Sequence, residues 1–293
     1  MSNFFPSILS IVLFFSVTQC SWKKEQSLDI GDQAQKTEKS FVIIVPSYNN
    51  KRWYKRNLDS IFLQKCQNFR VIYIDDASTD GTAQLVEQYC TELRWQDKIT
   101  IVANTQRVGA LANIYKAVQS CADDEVVILV DGDDWLFDDT VFAYINNIYQ
   151  DESVWITWGQ FVEYPSRQKG FAADFPPEVV HNNSYRQHGM PVTHLRTFYA
   201  WLFKLIRKDD LLYNGECYPM TWDKAMMAPM IEMAGGRYKF VDDILYVYNH
   251  ANPINDCKVN GELQVDLREE IYTKRPYEPL ERPIKTGICM PLP

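Results

Sequence analysis

Four short apolar runs rich in β-branched residues constrain this chain most: Phe41 to Val45, Phe69 to Ile74, Ile99 to Ala103 and Val126 to Val130. Between them, near Arg52 to Leu63, Thr82 to Leu93 and Gly109 to Ser120, apolar residues recur at helical spacing, as in Leu85, Val86 and Tyr89. Strands without polar alternation are buried on both faces. Helices between successive runs would cover those faces, so the pattern predicts an α/β fold with a mostly parallel, Rossmann-like sheet flanked by helices. A helix from Thr140 to Tyr149 and a strand from Val154 to Trp158 follow. Beyond Gly159, Pro165, Pro176, Pro177, Pro191 and the polar run His181 to His188 predict long loops over a site. Regularity returns in a helix near Trp222 to Ala234, closed by Gly235 and Gly236, and in a strand near Tyr238 to Tyr248.

The resulting organisation has a folded domain over residues 41–260, split into 41–150 and 151–260, and a tail over 261–293. Five prolines (Pro276, Pro279, Pro283, Pro291, Pro293) suggest that the tail wraps the surface. Residues 1–22 contain the uncharged run Phe4 to Val17 and read as a membrane anchor or signal segment, with 23–40 as a polar linker. Lys23 and Lys24 directly after the run favour a membrane-associated protein whose folded part is cytoplasmic. Cys20 keeps a lipoprotein open, and a cleaved signal a secreted form.

The chain has 293 residues, 46% of them hydrophobic, which suits a folded protein rather than a disordered one. Thirty basic against thirty-eight acidic residues give a net charge of −8, without the basic footprint of a nucleic-acid binder. Seven scattered cysteines with no CxxC pair fit neither a disulfide framework nor a zinc site.

In open α/β sheets ligands bind beyond the carboxyl ends of the strands. Three strands end there in polar clusters: Pro46-Ser47-Tyr48-Asn49-Asn50, Asp75-Asp76-Ala77-Ser78-Thr79-Asp80-Gly81-Thr82, and Asp131-Gly132-Asp133-Asp134-Trp135. A carboxylate at the second tip can accept hydrogen bonds from a nucleobase N–H or ribose hydroxyls, or else cap a helix. Asp131 and Asp133, one residue apart at a strand end, point the same way if the strand continues, with Gly132 leaving room for a ligand. Hard oxygen ligands so placed suit Mg²⁺ or Mn²⁺ bridging a diphosphate.

In their order, these clusters resemble the strand-PxYN, strand-DDxSxDGT and strand-DxDD series of the family 2 glycosyltransferases of the GT-A fold. The resemblance is close over residues 41–140 and looser through Trp222-Asp223 and Tyr246-Val-Tyr-Asn249. It implies an inverting transfer of a sugar from a nucleoside diphosphate donor, with UDP as nucleotide, to a glycan, lipid or protein hydroxyl, assisted by Mg²⁺ or Mn²⁺. Pro46, Tyr48 and Asn49 would then shape the base pocket, and Asp76 would meet base or ribose. Asp131 would lean toward ribose or metal, Asp133 would hold the metal, Asp134 would support them, and Arg107 would meet the diphosphate or simply be solvated.

The acceptor-side base implied by the resemblance is Asp223, beside Trp222, with Glu232, Asp242 and Asp243 as rivals and helix capping as its other role. His194 and His250 can touch phosphate or metal, or be structural. The reading from another class is a membrane-tethered, non-catalytic sugar- or nucleotide-binding protein on a degenerate transferase fold.

Overall fold

β1 (Phe41–Ser47) is buried along its whole length, and its alternation divides its side chains between two cores. Val42 and Ile44 enter one core, while Phe41, Ile43 and Val45 enter the other. β4 (Val126–Leu129) divides in the same way, with Val127 and Leu129 on one side and Val126 and Ile128 on the other. This double burial is why the strand runs carry no polar alternation. Each aliphatic side chain so buried contributes about 1.5–3 kcal/mol. Helices α1 (Tyr54–Phe62), α2 (Thr82–Glu92) and α4 (Val141–Ile148) cover the second core. The first lies under α3 (Ala110–Gln119), α7 (Ala200–Lys204) and α8 (Trp222–Ala234).

The computed structural model describes residues 38–255, 258 and 260–287. The expected anchor or signal segment, with Cys20, lies outside the described residues. Among the described residues no helix is long and apolar enough to cross a membrane.

β1 and β4 belong to one sheet with β2 (Phe69–Asp75), β3 (Ile99–Ala103), β5 (Trp135–Leu136), β6 (Ile156–Tyr164), β7 (Arg196–Tyr199) and β10 (Tyr238–Asn249), in the order β3-β2-β1-β4-β7-β6-β10-β5. β1 to β4 are mutually parallel. Antiparallel pairing enters with β7, between β4 and β6, and with β5 on β10. β8 (Leu212–Tyr213) and β9 (Glu216–Cys217) form a separate hairpin. Because β2 leaves β1 on one side and β4 on the other, the crevice opens at the carboxyl ends of β1 and β4.

Three sequence expectations need correction. The strand expected over 154–158 runs instead from Ile156 to Tyr164, into the region read as loop. That region also holds β7, α5 (Pro177–His181) and α6 (Tyr185–His188). The supposed tail begins with α9 (Gly261–Thr273), which sinks Leu267 and Ile271 into the first core.

Candidate active site

A cleft of about 1130 Å³ opens over these strand ends. On its β1 side, Pro46 and Tyr48 line it as expected, and the Arg107 guanidinium lies 4.0 Å from the Tyr48 ring centroid. Tyr48 and Arg107 thus act as one cation–π unit. Asn49 is a correction: its Oδ1 accepts from the Thr79 amide at 2.9 Å, tying two loops together, and it does not line the cleft. Ser47 and Asn50 line it instead. Asn50 donates to Ser47 Oγ at 3.0 Å, and its own Oδ1 is buried without a partner among the described residues.

Asp76 lines the cleft with much of its hydrogen-bonding capacity already used. Its Oδ1 accepts from Asn104 Nδ2 at 2.8 Å and the Val108 amide at 3.0 Å, and its Oδ2 from the Gly109 amide at 2.8 Å. Burial pushes this carboxyl up, but the amides together with Asn113 and Asn104 outweigh it and hold the group below the usual carboxylate range. A carboxylate offers about four acceptor positions, so the Val108 and Gly109 amides with Asn104 and Asn113 engage most of what Asp76 can accept.

Pairing with β1 continues past Leu129 to the Gly132 amide, which donates to the Pro46 carbonyl at 3.0 Å, and there the chain turns, the Asp134 amide donating to the Asp131 carbonyl at 3.0 Å. The expected extended alternation therefore does not hold, yet Asp131, Asp133 and Asp134 all line the cleft. Gly132 is a further correction. A Cβ there would lie 2.6 Å from Asn50 Nδ2 and 2.7 Å from Ser47 Cβ, so the glycine makes room for the β1 loop rather than for a ligand.

The end of β10 clamps this turn. Tyr246 OH donates to Asp134 Oδ2 at 2.8 Å, the Asn249 amide to Asp134 Oδ1 at 2.7 Å, and Asn252 Nδ2 to Asp133 Oδ2 at 2.6 Å. Burial first, then the charges of Asp133 and Asp131, push Asp134 well above the ordinary carboxylate value, and burial also raises Asp133. A divalent cation would relieve such crowding, and the donor set is of the hard-oxygen kind that Mg²⁺ and Mn²⁺ prefer. Ligand atoms of Asp131, Asp134 and His194 lie within 4.8 Å of one another. That group takes in Asp134, whose two oxygens also accept from Tyr246 and the Asn249 amide, and leaves out Asp133, which the sequence reading had as a metal ligand.

Across the cleft, Asp223 stands in the first turn of α8, its Oδ2 3.0 Å from Arg196 Nη2 and 3.8 Å from Lys224 Nζ. Burial raises its pKa, but Lys224 and Arg196 outweigh burial and leave it low. Arg196 also approaches the His194 ring at 3.3–3.5 Å, and that ring stacks on Tyr246 with centroids 4.5 Å apart. Burial, then Arg196 and Lys224, hold His194 well below the usual imidazole value, so its ring is neutral.

Of the four acidic candidates for the base, Asp223 alone lines the cleft. Glu232 is buried against Arg186 at 2.6 Å, Asp242 meets Lys169 at 2.8 Å, and Asp243 accepts from Tyr144 OH at 2.6 Å. His250 lines the cleft too. Sequence reasoning assigned no role to Arg196, Asn252 or the cleft face of α9. The nearest residue that the sequence singled out is His194, two positions before Arg196.

The model of the glycosyl transferase family 2 matches residues 42–211. Glycosyltransferase GlyG of Streptococcus pneumoniae is 24% identical over 215 residues, 70% of this chain and 69% of that protein. Poly(ribitol-phosphate) β-N-acetylglucosaminyltransferase TarS of Staphylococcus aureus is 32% identical over 116 residues, 38% of this chain and only 20% of its own length. Among solved structures, a TarS fragment superposes with a TM-score of 0.54 at 20% identity, covering 72% of this chain and 60% of the fragment. A mannosyltransferase of Pyrobaculum calidifontis in complex with GDP-Man and Mn²⁺ does so at 0.52 and 22%, covering 75% and 59%. These structural likenesses show the GT-A fold.

Proposed function

The chain belongs to glycosyl transferase family 2, and on that premise we propose that this glycosyltransferase moves a sugar from a UDP-sugar to an acceptor hydroxyl, with inversion and with Mg²⁺ or Mn²⁺. One observation carries the reading: Asp76, the Asp131–Asp134 turn and Asp223 line a single cleft. TarS, a relative named for N-acetylglucosamine transfer and solved with UDP-GlcNAc, supports UDP as the nucleotide.

In this reading Asp76 takes a base or ribose proton donor, and Arg107, held on Tyr48, stands at the cleft for phosphate. Asp131 and Asp133 would hold the divalent ion, which supplies positive charge to the diphosphate as it leaves. Asp223 accepts the acceptor hydroxyl's proton while that oxygen bonds to the anomeric carbon and the bond from carbon to the diphosphate oxygen breaks. Lys224 and Arg196 keep Asp223 ionised before the proton arrives. The uncharged run 4–17 and the lysines after it support membrane association with the catalytic part in the cytosol, and external protease on sealed cells should then leave that part intact.

The direct test is UDP release from UDP-GlcNAc and related nucleotide sugars, with and without Mn²⁺. Mn²⁺-dependent release from at least one donor is expected. Release from none would favour the non-catalytic binding reading.

A further inference from the structure

α9 lies beyond the residues that the family model covers, and it is welded into the fold along one side. Leu267 and Ile271 are buried, Arg186 Nη1 donates to the Ile271 carbonyl at 2.7 Å, and Thr221 Oγ1 donates to the Gln264 carbonyl at 3.1 Å. Gln264, Val265, Arg268, Glu269, Tyr272 and Thr273, at helical spacing, line the cleft. This face is close to Asp223: Thr221 precedes Asp223 by two residues, and Tyr272 is within electrostatic reach of Asp223, Arg268 and Glu269.

The groups around Asp223 are three cations, Arg196, Lys224 and Arg268, against two carboxylates, Asp223 and Glu269. Arg196 is bound to Asp223, and Lys224 Nζ donates to the Met190 and Val192 carbonyls at 2.6 and 2.8 Å. Arg268 differs, because among the described residues its ion pair is with its neighbour Glu269 alone, at 3.0 Å, with side chains 44% and 65% exposed. Exposed pairs of that kind are worth little and exchange readily. A guanidinium presents a planar fork that matches a carboxylate or phosphate. Tyr272 OH accepts from the Met190 amide at 3.2 Å and keeps its proton to donate, and the Gln264 amide can both donate and accept. Such a wall suits hydroxyls, with one anionic group among them.

We propose that the α9 face is the acceptor subsite, and that it takes a carbohydrate bearing a negative charge, which Arg268 meets as the specificity-determining residue. The proposal rests on the transferase reading only in placing the acceptor beside Asp223.

Binding can test it without turnover. The full chain, saturated with UDP and Mn²⁺, is titrated by ligand-observed NMR with methyl glucuronide, glucose 6-phosphate and methyl glucoside. At least one of the two anions should bind about tenfold more tightly than the glucoside, as expected for a charge-assisted hydrogen bond. The comparison between the two anions distinguishes carboxylate from phosphate. Arg268→Gln should erase that advantage and Arg268→Lys should keep part of it, with melting temperature as the folding control. Equal binding of the glucoside, absence of binding by all three, or an advantage that survives Arg268→Gln would each overturn the proposal. Failure of the transferase reading shows separately, as no UDP release from any donor.

Discussion

The two sides of the cleft are built by different means. On the side proposed for the nucleotide, Asp76 is held by Asn104 and the Val108 and Gly109 amides, all from the loop that follows β3. On the acceptor side Asp223 is held by charge, through Arg196 and Lys224, and the wall behind it rests on the buried Arg186–Glu232 pair. Backbone amides survive side-chain substitution, whereas an ion pair is lost when either partner is replaced, so the acceptor side should be the more fragile of the two to mutation.

The strongest challenge to this contrast is Asp223→Asn. Turnover should fall by about two to four orders of magnitude, the usual worth of a positioned base, while UDP affinity holds. Paired calorimetry and rate measurement check this, and a parallel loss of UDP affinity would move Asp223 to the donor side. Next, Glu232→Ala strands Arg186 in the core and should cost about 3–5 kcal/mol of stability, as breaking a buried pair does. Denaturant unfolding reads this out, and a loss under about 1 kcal/mol would mean the acceptor wall does not depend on the pair.

A smaller effect is expected on the nucleotide side from Asn252→Ala, which removes the 2.6 Å bond to Asp133. Mn²⁺-dependent UDP affinity should weaken about 10- to 100-fold, the range for partners that orient metal ligands. An unchanged affinity would remove Asp133 from the metal site.

The mildest change is in pH dependence. Asp223 is held low, so it stays ionised as pH falls until its own folded pKa is passed, and only below that point does the base fail. Arg196→Gln removes a cation, raises that pKa and should move the acid limb of the rate profile to higher pH. The same depression contributes stability that is present above the unfolded carboxylate pKa of about 3.9 and is lost as pH falls further. An acid limb that does not move would show that Lys224 alone sets the base.

Legibility in the sequence followed the same division. Strands buried on both faces announce themselves as apolar runs, and the clusters after β1, β2 and β4 could be placed at one crevice by chain order alone. β7 could not, since its four residues include Arg196 and the buried Thr197, whose hydroxyl is shared with Tyr149 and Thr157 at 2.9 and 2.7 Å. A central strand that satisfies polar groups through distant partners leaves no local pattern. α9 was hidden in a similar way, because only Leu267 and Ile271 of its thirteen residues are fully inward and the prolines after it dominate the composition. Asn49 was placed at the base pocket by its position in the family series, and Gly132 was read as ligand space from its missing side chain, but neither signal shows that Thr79 and Asn50 are the groups they meet.

Gly132 has a consequence for how this site would look to a survey of substitutions. With Asn50 and Ser47 filling the space a side chain would need, even alanine should be rejected there as firmly as changes at the carboxylates on either side. The three positions would then score alike for unlike reasons, two through the metal and donor chemistry proposed for them and one through the fit of the protein to itself. Mutational intolerance along this turn therefore marks where the molecule cannot change, and ligand binding has to be measured separately to learn which positions touch substrate.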